Sequence, residues 1–139
     1  MLTLTIMPDF GGAYCWWSKN DETDKRMWVG TCGGLPLVRV GTKMRANPLE
    51  AEFVEWQSDF EALSTDPDAC AKFDWVSFHR EGIRLAIKLK RSLGDGCRVI
   101  YEKPAEDPGA RQHERREVLL DGQLIELLSR ASIARQMEE

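Results

Sequence analysis

Two helical segments in the middle of the chain constrain its fold most. In the first, large apolar residues recur at spacings of four, three, four and three between residues 49 and 63, which places them on one face of a helix. Asn47 is a suitable N-cap, Pro48 suits the first turn, and Glu50 stands three positions after the cap. The second segment, residues 74–93, carries its own apolar stripe and ends at a Gly-Asp-Gly sequence. Two amphipathic helices need a common apolar surface, which a sheet can supply.

Segments typical of β-strands flank the helices on both sides. Residues 2–7 alternate apolar side chains with threonine, and the sequences AYCWW and MWVGTC follow before the helices. Residues 97–102 and 116–120 form further strand segments after them. Residues 35–41 fit a short edge strand, because their proline cannot donate a ladder hydrogen bond. This order predicts a single α+β domain over residues 1–139, with a mainly antiparallel sheet and the two central helices packed on one face.

The last part of the chain fits two structures. An Asp-Gly pair at residues 121–122 is a strong turn signal, after which residues 123–128 could return as a hairpin partner. Over a longer window, apolar residues from Leu124 to Ala134 recur at helical spacing. The longer pattern favours a C-terminal helix.

Composition and charge argue against several classes of protein. At 139 residues, with 42% hydrophobic and 30% charged residues, the chain suits one globular domain that needs no metal or disulfide to fold. Its net charge of −4 argues against nucleic-acid binding. No apolar run approaches the roughly 20 residues of a membrane span, and the N-terminus does not resemble a signal peptide. Four cysteines without ligand spacing indicate reduced thiols in the cytoplasm, and no metal or cofactor is expected.

Adjacent tryptophans raise a packing question. Successive side chains of a strand point to opposite faces, so Trp16 is expected to share a face with Tyr14, and Trp17 to share the other with Cys15. The same alternation separates Trp28 from its neighbours. Because only one sheet face can meet the two helices, at least one large aromatic side chain is predicted on the opposite face. The C-terminal helix, a second protein chain or a ligand could cover it.

His79 lies on the apolar stripe of the second helix. The simpler interpretation is a partly buried, hydrogen-bonded histidine at the end of the core. The functional alternative is a general acid or base in a pocket between sheet and helices. Gly82 lowers helix stability by about 1 kcal/mol relative to alanine, which indicates close packing, with a tryptophan as the candidate neighbour. The proposed pocket would also be lined by Trp16 or Trp17, Arg98 and Tyr101.

Two charged surfaces are candidates for recognition. The loop of residues 103–115 is either solvated or grips a charged partner, and Arg111 and His113 are its candidates for an anion site. The outer face of the first helix is acidic and that of the second is basic. These faces are either solvated or associate by charge complementarity with a second copy or another partner.

The sequence FHREGIRLAIKLKRSLGDGCRVIYEKPAEDPGARQHERREVLLDG spans residues 78–122. Its helix, the strand that ends in Tyr-Glu-Lys-Pro, and the following EDP…ERREVL loop and strand resemble small uncharacterised bacterial accessory proteins. Such proteins are carried on mobile gene cassettes or beside toxin genes. The resemblance covers about a third of the chain and implies a bacterial, cytoplasmic origin. It carries no active-site residue over to this sequence.

These observations favour a non-catalytic protein-binding module over an enzyme. Self-association as a homodimer is the simplest case, and neutralisation of a partner protein, as in toxin immunity, is a specific version of the same role. The competing hypothesis is a small-ligand or enzymatic pocket around His79. A binding protein should keep its partner affinity when His79 is replaced, whereas an enzyme should lose its activity.

Overall fold

The computed structural model describes residues 2–18, 35–66, 68–110 and 114–127. The strands are β1 (Leu2–Ile6), β2 (Cys15–Ser18), β3 (Val38–Val40), β4 (Lys43–Arg45), β5 (Cys97–Glu102), β6 (Arg115–Val118) and β7 (Leu124–Leu127). The α-helices are α1 (Glu50–Glu61), α2 (Ala69–Lys72) and α3 (Trp75–Leu93), with 3₁₀ turns at residues 62–65 and 94–96. Five strands form one sheet in the order β2-β1-β5-β6-β7, and β3 pairs with β4 in a separate hairpin.

The α+β class is confirmed, but the sheet is mixed. β1 pairs in parallel with β5, whereas the other neighbouring strands of the sheet are antiparallel. β5 runs parallel to β1 because the chain enters both strands from the same end of the sheet. A long connection, which contains the helices, leads the chain from β2 to the start of β5. Leu4 and Val99 are fully buried on the helix side, and Thr3 and Thr5 are almost fully buried on the opposite face. Burial on both faces is typical of parallel strands.

Both central helices form where the apolar stripes predict them. Asn47 Oδ1 accepts a hydrogen bond from the Leu49 amide at 2.9 Å, but α1 begins only at Glu50, so Leu49 and not Asn47 holds the N-cap position, without a side-chain cap. Asp74 caps α3 by accepting from the Ser77 amide at 3.1 Å. The buried side chains of both helices join those of β1, β5 and β6 in one core, which includes Leu4, Ile6, Phe53, Trp56, Phe60, Phe78, Leu85, Leu89, Val99 and Val118.

The prediction of a C-terminal helix is wrong for residues 124–127. Residues 124–127 form β7, which pairs antiparallel with β6 after the predicted Asp-Gly turn. Gly122 adopts a φ of +87°, which glycine tolerates without steric cost. The turn residues and the open edge of β6 outweigh the helical spacing of the leucines. The hairpin pairs the backbone groups on this edge of β6, which a helix at residues 124–127 would leave without a strand partner. Residues 128–139, and the strand predicted at residues 27–32, lie outside the described residues.

The β3–β4 hairpin stands apart from the five-stranded sheet. β3 confirms the edge strand predicted within residues 35–41, but the sequence pattern does not predict its partner β4. Gly41, with a φ of +65°, lies in the connecting turn. Beyond its own pairing, the hairpin makes no extensive contact with another helix or strand in the described part of the chain.

Candidate functional site

His79, Tyr101 and Asp107 form a buried, hydrogen-bonded series. His79 lies on α3, Tyr101 on β5, and Asp107 in the loop that follows β5. The Nδ1 atom of His79 lies 2.6 Å from the Tyr101 hydroxyl, and its Nε2 atom lies 2.6 Å from Asp107 Oδ2. His79 and Asp107 are each 7% exposed, and Tyr101 is 2% exposed. The series therefore joins helix, strand and loop inside the protein.

Burial sets the protonation states in this series. Burial lowers the pKa of His79 below its usual value, although the hydrogen bond and the negative charge of Asp107 act in the opposite direction. Burial also raises the pKa of Tyr101 well above its usual value, so its hydroxyl stays protonated. The neutral imidazole accepts a hydrogen bond from Tyr101 at Nδ1 and donates one from Nε2 to Asp107. Both ring nitrogens are thus occupied by protein partners.

Side chains pack closely around Gly82, beside this series. A Cβ atom at Gly82 would lie 2.6 Å from Trp56 Cζ2 and 2.8 Å from the Tyr101 hydroxyl oxygen. Trp56 is held in place because its indole nitrogen donates to the Phe78 carbonyl at 2.9 Å. The ring of Trp75 stacks on that of His79, with the centroids 5.6 Å apart. The close packing predicted for Gly82 is confirmed, and His79 occupies the buried, hydrogen-bonded position of the simpler interpretation.

The two adjacent tryptophans lie on opposite faces of the sheet. Trp17 pairs with Leu4 and packs partly buried against the core. Trp16 pairs with Thr5 on the other face, and its indole nitrogen donates to the Met7 carbonyl at 3.0 Å. Tyr14 does not share the face of Trp16 as expected, because it precedes β2, where the alternation begins. It is buried in the core and stacks on Phe53 at 5.3 Å.

Strand alternation separates the other residues of the predicted pocket. Arg98 and Tyr101 lie on opposite faces of β5, because an odd number of positions separates them. Arg98 forms an ion pair with Glu117 on β6 at 2.8 Å. The structure thus brings Tyr101 to His79 but directs Arg98 and Trp16 to the opposite face. Trp28, Arg111 and His113 lie outside the described residues.

A groove between α1 and α3 is a second candidate site, and the sequence does not reveal it as one. Its volume is about 490 Å³. Three aromatic side chains line it: Trp56, Phe73 and Phe78. Its polar lining consists of Glu52, Glu55, Asp59, Asp74, Ser77, Glu81 and Arg84. The acidic outer face of α1 is visible in the sequence, but its placement beside aromatic residues depends on how the helices pack.

Ion pairs neutralise only part of the groove. Arg84 pairs with Glu81 at 2.5 Å and approaches Glu52 at 3.4 Å, and Lys88 lies 3.6 Å from Glu52. The acidic face of α1 and the basic face of α3 thus partly neutralise each other within the chain. The carboxylates of Glu55 and Asp59 make no ion pair with another described residue, and both residues are exposed. The groove keeps an excess of negative charge on its α1 side.

The aromatic side chains that line the groove pack against one another. Phe78 stacks on Trp56 with ring centroids 4.6 Å apart, and Phe73 meets Phe78 edge-on at 5.3 Å. Asp74 and Ser77 are engaged in capping α3, since the Ser77 hydroxyl donates to Asp74 Oδ2 at 2.7 Å. These hydrogen bonds lower the pKa of Asp74. Phe73 is half-buried, whereas Trp56 and Phe78 are 3% and 5% exposed and form the floor of the groove. An aromatic ring beside carboxylates suits the side chains of arginine and lysine, which combine an apolar stem with a cationic head.

Neither a cluster of metal ligands nor a membrane-spanning helix occurs in the described part of the chain. No cluster of three or more His, Cys, Asp or Glu side chains there could hold a metal ion. No described helix combines the length and the apolar character needed to cross a membrane. Cys70 and Cys97 are free thiols.

Comparisons with known proteins return no match: no family model, curated protein or solved structure is similar to this chain.

Proposed function

We propose that the chain is a non-catalytic protein-binding module whose contact surface is the acidic groove between α1 and α3. The observation that carries this proposal is the pair of exposed carboxylates of Glu55 and Asp59, which make no ion pair with another described residue, in a groove that also holds the half-buried ring of Phe73. A basic segment with apolar side chains matches both features, because cations are attracted to the carboxylates and apolar stems pack on the rings. The partner is therefore a protein with such a segment at its surface.

The state of the polar groups supports binding rather than catalysis. The residues that line the groove include no histidine or cysteine, and the hydroxyl of Ser77 is held by Asp74. His79 has both ring nitrogens hydrogen-bonded inside the protein, so a substrate would have to displace Tyr101 or Asp107 to reach it. In this role the chain acts as a small cytoplasmic bacterial accessory protein, and neutralisation of a basic partner is one form of that role.

A peptide titration tests the proposal. The probe is a short synthetic peptide of alternating arginine and leucine, and its affinity is measured by isothermal titration calorimetry. Charge reversal in the groove, Glu55→Lys with Asp59→Lys, should weaken binding by at least about tenfold, because attraction becomes repulsion. Added salt should weaken binding to the native chain, since exposed charges are screened.

A matched variant separates the groove from general acidity. Asp95→Lys with Glu126→Lys changes the net charge equally, at exposed positions that do not line the groove. This control should bind the peptide with nearly native affinity, and so should His79→Gln below its unfolding temperature. If both double variants weaken binding equally, the groove is not the binding surface and the proposal fails.

A further inference from the structure

The β3–β4 hairpin has the chemistry that the groove requires. Residues 37–45 contain Arg39, Lys43 and Arg45 and no acidic residue. Three apolar side chains in the same segment are exposed: Leu37 at 57%, Val40 at 61% and Met44 at 54%. A strongly basic, apolar segment is notable in a chain whose net charge is −4.

The register of the hairpin mixes both kinds of side chain on each face. Val40 pairs with Lys43, and Arg39 pairs with Met44. Directly paired residues point to the same face of a two-stranded ribbon. Each face therefore presents a cation next to an apolar side chain, which matches carboxylates next to aromatic rings.

Among the described residues, no further layer of helix or strand stabilises the hairpin. A two-stranded hairpin is at best marginally stable in water without a further strand or a packed apolar face. In the described part of the chain, no helix or strand covers this hairpin extensively. Docking one face into a groove would bury the exposed apolar side chain on that face, Val40 on one and Met44 on the other, and so stabilise the two strands.

We infer that the hairpin of a second copy of this chain occupies the groove, so that the protein forms a reciprocal homodimer. This inference rests on the proposed function and names its partner. Within the described part of one copy, no residue of the hairpin lines the groove, and the carboxylates of Glu55 and Asp59 and the apolar side chains of the hairpin stay exposed. Because every copy carries one hairpin and one groove, two reciprocal contacts close a two-fold dimer.

A charge-swap experiment tests the dimer by light scattering after size exclusion at low salt. The native chain should have twice the monomer mass. The groove variant (Glu55→Lys with Asp59→Lys) and the hairpin variant (Arg39→Glu with Arg45→Glu) should each be monomeric, because each places like charges at both contacts. An equimolar mixture of the two should recover the dimer mass, since every contact then joins opposite charges. The control Asp95→Lys with Glu126→Lys should remain dimeric.

The outcomes distinguish the dimer from the more general binding function. A native chain that is monomeric at its highest soluble concentration overturns the dimer, and so does a mixture of folded variants that stays monomeric. Circular dichroism establishes that each variant is folded. If the dimer is overturned but the arginine–leucine peptide still binds in a groove-dependent way, the proposed function stands with a different protein as partner. If the peptide does not depend on the groove, the proposed function itself fails.

Discussion

At the scale of single residues, the buried end of α3 shows how one small side chain determines local packing. Gly82 leaves the space that Trp56 and the Tyr101 hydroxyl occupy, and this lets Tyr101 reach His79. The positions of Gly82 and His79 on the apolar stripe of the helix are visible in the sequence. They predict close packing at Gly82 and a partly buried side chain at His79. The identity of the hydrogen-bond partners is not visible, because Tyr101 and Asp107 lie 22 and 28 positions away from His79.

Replacement of Gly82 by alanine should destabilise the protein by about 1–3 kcal/mol, the usual cost of overpacking a core. Alanine gains about 1 kcal/mol of helix propensity, but its Cβ would meet the ring of Trp56 at 2.6 Å. The steric effect should win because the Trp56 ring is fixed by its hydrogen bond and its stacking. Urea unfolding measures the change. Gly96→Ala, with no atom near its added Cβ, should have little effect; equal stability of the two variants would contradict this account.

His79 should make the stability depend on pH in a specific direction. Because burial lowers its pKa in the folded state, the unfolded chain binds more protons once the pH falls below about 6.5. The stabilisation contributed by the neutral imidazole is therefore complete above that pH and declines as the pH falls towards the folded-state pKa. The non-titrating variant His79→Gln lacks this decline.

Unfolding free energies of both proteins, measured from pH 8 to pH 5, test this sign. The difference in unfolding free energy between the native chain and His79→Gln should shrink at the acidic end. The titrations of most carboxylates occur in both proteins and cancel in this difference. An advantage that grows on acidification would mean that Asp107 raises the pKa of His79 more than burial lowers it.

At the scale of secondary-structure elements, local signals predict helices better than strand partners. Apolar stripes predict α1 and α3, and Asp74 caps the start of α3, because helical hydrogen bonds and caps depend only on nearby residues. Alternation likewise predicts that Trp16 and Trp17 separate, but it does not say where a strand begins, so Tyr14 is misplaced. β7 shows the same limit. Its sequence fits a helix as well as a strand, and the presence of β6 beside it decides for the strand.

β5 and β6 are joined by a buried ion pair, and its contribution to the free energy of unfolding can be measured by substitution. Glu102 and Arg115 are directly paired, and Glu102 Oε1 lies 3.1 Å from Arg115 Nε. Their side chains are 1% and 0% exposed, so neither charge is compensated by bulk water. Glu102→Gln should destabilise the protein by about 3 kcal/mol, because it leaves the guanidinium with a neutral partner.

Chemical denaturation of Glu102→Gln, with Glu126→Gln on the exposed part of β7 as the control, measures this cost. The control should lie within about 0.5 kcal/mol of the native chain, as expected for a surface substitution. A native-like Glu102→Gln variant would show that the other contacts of Arg115, and not this carboxylate, hold its charge.

At the scale of the whole molecule, the sequence by itself determined the α+β class, the two amphipathic helices and the Asp-Gly turn that precedes β7. These features follow from local hydrogen bonding and from the periodicity of apolar side chains, which any fold of this chain must satisfy.

Only the tertiary structure decided the parallel pairing of β1 with β5, the Tyr101–His79–Asp107 series, and the groove in which Glu55 and Asp59 stand beside aromatic rings. Each of these joins segments that are far apart in the chain. Their contacts depend on which faces the elements turn towards one another, and that choice is made by the burial of the whole core rather than by any local pattern.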